Sequence, residues 1–254
     1  MSTNLYWQTL GQGPDLVLLH GWGMNGAVWQ QAVESLKQDF TVHIVDLPGY
    51  GHSAQYHAAD LAQIAEMLLV QAPEQATWLG WSLGGLIATY IAEQAPERVS
   101  KLITVASSPK FSADSSWRGI QPQVLSAFTE QLLEDFSLTI ERFMALQAMG
   151  SPSARQDVKK LKQAILSRPQ PNPGSLLVGL NILADVDLRE VLSKLSMPVL
   201  RLYGRLDGLV PIKVASALNT QLPHTQQFIF SRSSHAPFMT EQDEFCEQIR
   251  QFAG

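Results

Sequence analysis

Short apolar runs alternating with amphipathic stretches set the architecture open to this chain. Leu16-Val17-Leu18-Leu19, Val42-His43-Ile44-Val45, Thr77-Trp78-Leu79 and Leu102-Ile103-Thr104-Val105 each read as a buried strand, and Val28 to Lys37 and Asp60 to Gln71 between them carry helical periodicity. Strands apolar on both faces that alternate with helices specify a mostly parallel sheet covered on both sides, an α/β fold. Met197 to Tyr203 and Gln227 to Phe230 read as two further strands. From Phe111 to Asp187 the strands stop. Helical periodicity runs over Val124 to Phe136, Leu138 to Met149 and Ser153 to Leu166, until Arg168-Pro-Gln-Pro-Asn-Pro-Gly174 breaks it. The expected organisation is a core built from residues 1–110 and 188–254, with residues 111–187 as a helical insert.

At 254 residues the chain is long enough for one such domain with a substantial core. A hydrophobic fraction of 45% with 16% charged residues is ordinary for a globular protein. The formal net charge of −5 argues against general nucleic-acid binding, which favours basic surfaces. Cys246 is the single cysteine, so no intrachain disulfide can form. The opening MSTNLYWQTL has no basic segment followed by an apolar one, and no apolar run reaches the length of a membrane span. The expected setting is cytoplasmic, with no membrane association and a monomeric chain.

One stretch carries chemistry. Leu79-Gly80-Trp81-Ser82-Leu83-Gly84-Gly85-Leu86 places a G-x-S-x-G motif between a strand and a helical segment. In that context glycines flanking a serine permit a sharp bend that lifts the hydroxyl above the sheet, although the same letters also describe an ordinary Gly-rich turn. A nucleophilic serine needs a base. His235, in Ser-Ser-His-Ala-Pro, follows the last strand, at the sheet edge where α/β proteins bind ligands. His43 lies inside a strand and reads as packing, His57 and His224 as solvated loop residues, and His20 as a brace for its own loop. The base in turn needs an acid to fix its tautomer, and Asp207 in Gly-Arg-Leu-Asp-Gly follows another strand. The chain order Ser82, Asp207, His235, with each residue after a different strand, is more specific than any one match. His20-Gly21-Trp22-Gly23 follows the first core strand. The N–H groups of Trp22 and Leu83 are the expected oxyanion hole, each such donor being worth roughly 3 kcal/mol in the transition state. No metal-ligand spacing is present and no cofactor is expected.

HGWG at 20–23, DLPGYGHS at 46–53, GWSLGG at 80–85, GRLDGLVP at 204–211 and SHAP at 234–237 together resemble the α/β-hydrolase family of esterases and lipase-like enzymes, over nearly the whole chain. Within it, these motifs with VASSP, ARQD and the pair Trp22 and Trp81 are similar to the family of pimeloyl-[acyl-carrier protein] methyl ester esterases of biotin synthesis. That resemblance implies a serine carboxylesterase acting on a methyl ester carried by an acyl carrier protein. A broad short-chain carboxylesterase, or another hydrolase of the same fold, is the alternative. A non-catalytic ligand receptor on this fold fits a complete set of triad candidates less well.

In this family the insert forms a cap over the nucleophile. Phe143, Met144, Ala145, Leu146 and Gln147 on one helix, together with Trp22, Ser82, Leu83 and His235, are the expected substrate-binding residues; Phe128 lies on the preceding helix. Buried there, an acyl chain would gain about 0.8 kcal/mol per methylene. Residues 142–168 carry Arg142, Arg155, Lys159, Lys160, Lys162 and Arg168 against the single acid Asp157. Arg155, Lys159 and Lys162 share one helix face by spacing. A solvated helix surface would account for them. The resemblance implies a second use, docking of the acidic carrier protein by Arg142, Arg155, Lys159 and Lys162.

Overall fold

The computed structural model describes residues 4–254. Seven strands form one sheet: β1 (Trp7–Gly11), β2 (Asp15–Leu19), β3 (Thr41–Val45), β4 (Ala76–Trp81), β5 (Val99–Val105), β6 (Val199–Gly204) and β7 (Gln226–Phe230). Their spatial order is β1-β3-β2-β4-β5-β6-β7. β1 pairs antiparallel with β3, and every other pair is parallel. The helices are α1 (Gln30–Leu36), α2 (Leu61–Leu69), α3 (Leu83–Gln94), α4 (Pro122–Glu134), α5 (Phe136–Ala148), α6 (Ala154–Leu166), α7 (Pro173–Asp185), α8 (Arg189–Lys194), α9 (Ile212–Gln221), α10 (Pro237–Thr240) and α11 (Gln242–Ala253).

Every residue of β4 and β6 is buried, as strands covered by helices on both faces require. β1 escaped the sequence reading because it is a half-exposed antiparallel edge strand, with no apolar run to announce it. Five helices, α4 to α8, occupy the interval between β5 and β6. The Pro-rich segment that ends α6 also starts α7. Asn172 accepts from the N–H groups of Gly174 and Ser175, and Pro173 sits at the first helical position, where its missing N–H costs nothing. Among the described residues, no helix is long and apolar enough to cross a membrane.

The chain runs from β2 outward to β3, then returns past β2 to lay β4 on its other side. Strand order therefore reverses between β2 and β4. The loops leaving the carboxyl ends of these two neighbours diverge and leave a crevice, where open α/β sheets bind ligands. His20-Gly21-Trp22 leaves β2 there, and Ser82 leaves β4.

Candidate active site

Ser82 joins β4 directly to α3 and adopts φ 54°, ψ −117°, a conformation that L-residues rarely hold. The surroundings enforce it. A Cβ on Gly80 would overlap the Gly84 carbonyl, so strand and helix touch backbone to backbone beneath the serine. Ser82 N–H donates to Val105 O at 2.9 Å, and Ser82 O accepts from Ser107 Oγ at 2.8 Å. The bend is held from β5 as well as by its own glycines.

The loops after β6 and β7 bring the other two candidates to it. His235 Nε2 lies 2.9 Å from Ser82 Oγ, and His235 Nδ1 lies 2.7 Å from Asp207 Oδ2. The second Asp207 oxygen accepts from the N–H groups of Leu209 at 2.8 Å and Val210 at 3.0 Å. With one oxygen fixed by backbone and the other facing Nδ1, the carboxylate selects the tautomer protonated on Nδ1 and leaves Nε2 free to accept from the serine. Trp81 Nε1 donates to His235 O at 2.7 Å, which ties the histidine to the strand carrying Ser82. All three side chains are buried; Ser82 is 1% exposed.

A Cβ on Gly21 would stand 3.2 Å from the Cβ of Ser82, so the β2 loop passes directly beside the nucleophile. Trp22 N–H has no partner among the described residues, and Leu83 N–H belongs to the unpaired first turn of α3. Both are backbone donors still available to an anion beside Ser82. His20 braces this loop: Nδ1 donates to Gly21 O at 2.9 Å and Nε2 accepts from Leu47 N–H at 3.1 Å. Burial pushes its pKa down to about 4, against the opposing pull of Asp46. It is a neutral structural imidazole.

The residues expected to line the substrate site divide between two faces of α5. Phe143, Met144 and Gln147 are buried. Phe143 meets the Trp22 ring edge-on at 4.8 Å between centroids, and Phe128 meets Phe143 at 5.7 Å. Gln147 O accepts from His235 N–H at 3.1 Å, while neither atom of its buried side-chain amide has a hydrogen-bond partner. Ala145 lies instead on the exposed side. With Leu146, Arg142, Val124, Phe128 and Met149 it lines an open, largely apolar groove of about 570 Å³ between α4 and α5. Five consecutive helical residues cannot all face one way, and Ala145 and Leu146 are the two that face the groove. The Trp22 ring is fully buried, and its indole N–H is taken by Leu176 O at 2.8 Å.

Of the cations, Arg142, Arg155, Lys159 and Lys162 are exposed, and Lys162 Nζ pairs with Glu141 at 2.6 Å. Arg168 does not belong with them. Its guanidinium turns inward to the buried Asp46 at 2.6 Å, which removes one charge from the surface cluster suggested by composition. Sequence reasoning gave no signal for that pair, because nothing local links residue 168 to residue 46.

Residues 14–242 match the family described as alpha/beta hydrolase fold. The chain is 80% identical over 253 residues to the pimeloyl-[acyl-carrier protein] methyl ester esterase of Vibrio parahaemolyticus, covering 100% of this chain and 99% of the relative. It is 67% identical over 253 residues to the protein of the same name from Vibrio cholerae, again across 100% and 99% of the two chains. Among solved structures it is similar to an esterase from Exiguobacterium antarcticum, with a TM-score of 0.86 and 23% identity over 98% of this chain and 95% of the other, a likeness of fold. This chain belongs to the α/β-hydrolase fold family and, within it, to the pimeloyl-[acyl-carrier protein] methyl ester esterases.

Proposed function

We propose that this chain hydrolyses the methyl ester of a pimeloyl group carried by an acyl carrier protein, with Ser82, His235 and Asp207 as its catalytic residues. The observation that carries this reading is His235 hydrogen-bonded between Ser82 Oγ and Asp207 Oδ2 in a chain alike end to end with esterases of that name.

Ser82 Oγ attacks the ester carbonyl while His235 Nε2 accepts its proton, and Asp207 stabilises the imidazolium that forms. The carbonyl oxygen becomes an oxyanion received by the N–H groups of Trp22 and Leu83. Collapse of the tetrahedral intermediate breaks the bond to the methoxy oxygen, which leaves as methanol with the proton from His235. Water then attacks the acyl-enzyme, giving its proton to His235, and Ser82 is released with the free carboxylate as product. The ester under attack is at the far end of the acyl chain, so the carrier thioester stays outside the site.

We assign residues 111–187 as the cap over Ser82. The acyl chain enters from the groove between α4 and α5 and follows the Phe128, Phe143 and Trp22 rings inward, and the unpartnered Gln147 amide offers it a polar contact. Arg142, Arg155, Lys159 and Lys162 on the exposed cap surface receive the acidic carrier. The test compares turnover of pimeloyl-[acyl-carrier protein] methyl ester with that of p-nitrophenyl acetate and butyrate. This reading expects the carrier-bound ester to have the higher kcat/KM. Turnover of the small esters alone would favour a broad carboxylesterase, and turnover of neither a ligand receptor.

A further inference from the structure

The sequence stretch Ala154-Arg155-Gln156-Asp157 opens α6, and its acid has an unusual environment. Asp157 is 3% exposed and has no ion-pair partner among the described residues. Hydroxyls alone satisfy it. Oδ2 accepts from Ser151 Oγ at 2.7 Å, Ser153 Oγ at 2.9 Å and Thr240 Oγ1 at 3.3 Å, and Oδ1 accepts from Ser153 Oγ at 3.1 Å. A buried carboxylate compensated only by neutral donors is expensive, and the dipole at the first turn of α6 offsets only part of that cost. Two of the donors belong to the turn before α6. The third comes from α10, the short helix that follows His235.

That third contact continues a pattern. Ser234 Oγ donates to Met149 O at 2.9 Å, and His235 N–H donates to Gln147 O at 3.1 Å. Thr240, held by Asp157, stands over Ala236, whose carbonyl accepts Thr240 N–H at 3.4 Å. Residues 234, 235 and 236 are thus each anchored, directly or through Thr240, to the stretch 147–157. The sheet holds the histidine from the other side, through Trp81 Nε1 on His235 O.

We propose that Asp157 is a positioning residue for His235. Through Thr240 it clamps the segment that carries the base to the cap, so that the imidazole reaches Ser82 only while α6 is seated. The inference rests on the assignment of Ser82 and His235 above. It makes the insert a working part of the proton relay as well as a cover. Arg155 and Lys159 lie on the exposed side of the same helix, two residues either side of Asp157. A partner that presses on α6 therefore acts on the base.

The test is steady-state hydrolysis of p-nitrophenyl butyrate, a substrate with no carrier to dock, by Thr240→Val, Asp157→Ala, the double variant and Ser153→Ala. Thr240→Val keeps the side-chain shape and removes only the α10 hydroxyl. The expected result is a kcat lowered about 10-fold by each of the first two, with KM within about twofold, since displaced catalytic groups cost rate and not substrate affinity. The double variant should be no slower than Asp157→Ala, because both remove one link. Ser153→Ala, which alters only the cap side, should keep kcat within about twofold while lowering the melting temperature. An unchanged kcat in folded Thr240→Val, a loss carried by KM, or additive losses in the double variant would overturn the proposal. Retention of activity by Ser82→Ala would instead overturn the assignment beneath it.

Discussion

Arg168 reaches from the end of α6 into the core and donates to Asp46 at 2.6 Å, where the carboxylate is wholly buried. The same carboxylate accepts from Gly26 N–H at 2.7 Å and His52 N–H at 2.8 Å, so one acid gathers the loops after β2 and β3 and the helical insert. Removing the cation leaves a buried charge with backbone donors alone. Breaking such a pair costs about 3–5 kcal/mol. Arg168→Leu is therefore expected to lower the melting temperature by roughly 6–20 °C, at about 2–4 °C per kcal/mol for a chain of this size. Differential scanning calorimetry checks it; a shift within a degree would show that the pair holds nothing together.

The bend at Ser82 depends on the missing side chain of Gly80. A methyl there would collide with the Gly84 carbonyl, a backbone atom that cannot yield without moving α3. Gly80→Ala is expected to reduce kcat/KM for p-nitrophenyl butyrate by about 100-fold or more, the scale of loss that follows an ångström of misplacement. Wild-type turnover by this variant would mean that the strand–helix contact does not set the serine.

His20 gives stability a pH dependence. Its pKa in the folded chain is about 4, below the ordinary imidazole value of 6.5, chiefly because it is buried. The unfolded chain therefore binds the extra proton between these values. The contribution is fully present above pH 6.5 and is lost as pH falls toward 4, to a total of about 3 kcal/mol. Urea melts of wild type and His20→Asn at pH 7.5 and 4.5 should show the smaller pH effect in the variant. Parallel losses in the two proteins would remove His20 as the cause.

Carrier docking by an exposed cationic face has an ionic signature. Arg155→Glu, Lys159→Glu and Lys162→Glu combined are expected to raise KM for the carrier-bound methyl ester about 10-fold or more while leaving KM for p-nitrophenyl butyrate within about twofold. The wild-type KM for the carrier substrate should also rise with salt, because exposed charges are screened within about 10 Å at 0.1 M ionic strength. Equal effects on both substrates would place the damage in the site and not at a docking surface.

Much of this was legible in the sequence because it is local. Leu16–Leu19 and Thr77–Leu79 announce buried strands by composition alone, and the G-x-S-x-G motif between β4 and α3 needs only its flanking elements to be read. The parallel sheet follows from the alternation of strands and helices. What stayed hidden depends on distant partners or on solvent. Edge strand β1 has no apolar run, and its partner β3 lies thirty residues on. Asn172-Pro173 reads as the end of α6, yet the same two residues cap α7. Arg168 counts as a surface cation until Asp46 is found beneath it. The split of α5 between buried Phe143, Met144 and Gln147 and groove-facing Ala145 and Leu146 shows only once α4 is packed beside it. The hydroxyl cluster around Asp157 joins residues 83 positions apart, a spacing that no periodicity encodes.

The central claim is that Ser82 Oγ is the nucleophile. Its most direct measurement is kcat/KM for pimeloyl-[acyl-carrier protein] methyl ester in Ser82→Ala, with circular dichroism establishing that the variant is folded. Members of such a triad act as a unit, so the expected loss is about 10⁴-fold or greater. A folded Ser82→Ala protein that keeps a tenth or more of wild-type activity would contradict the account.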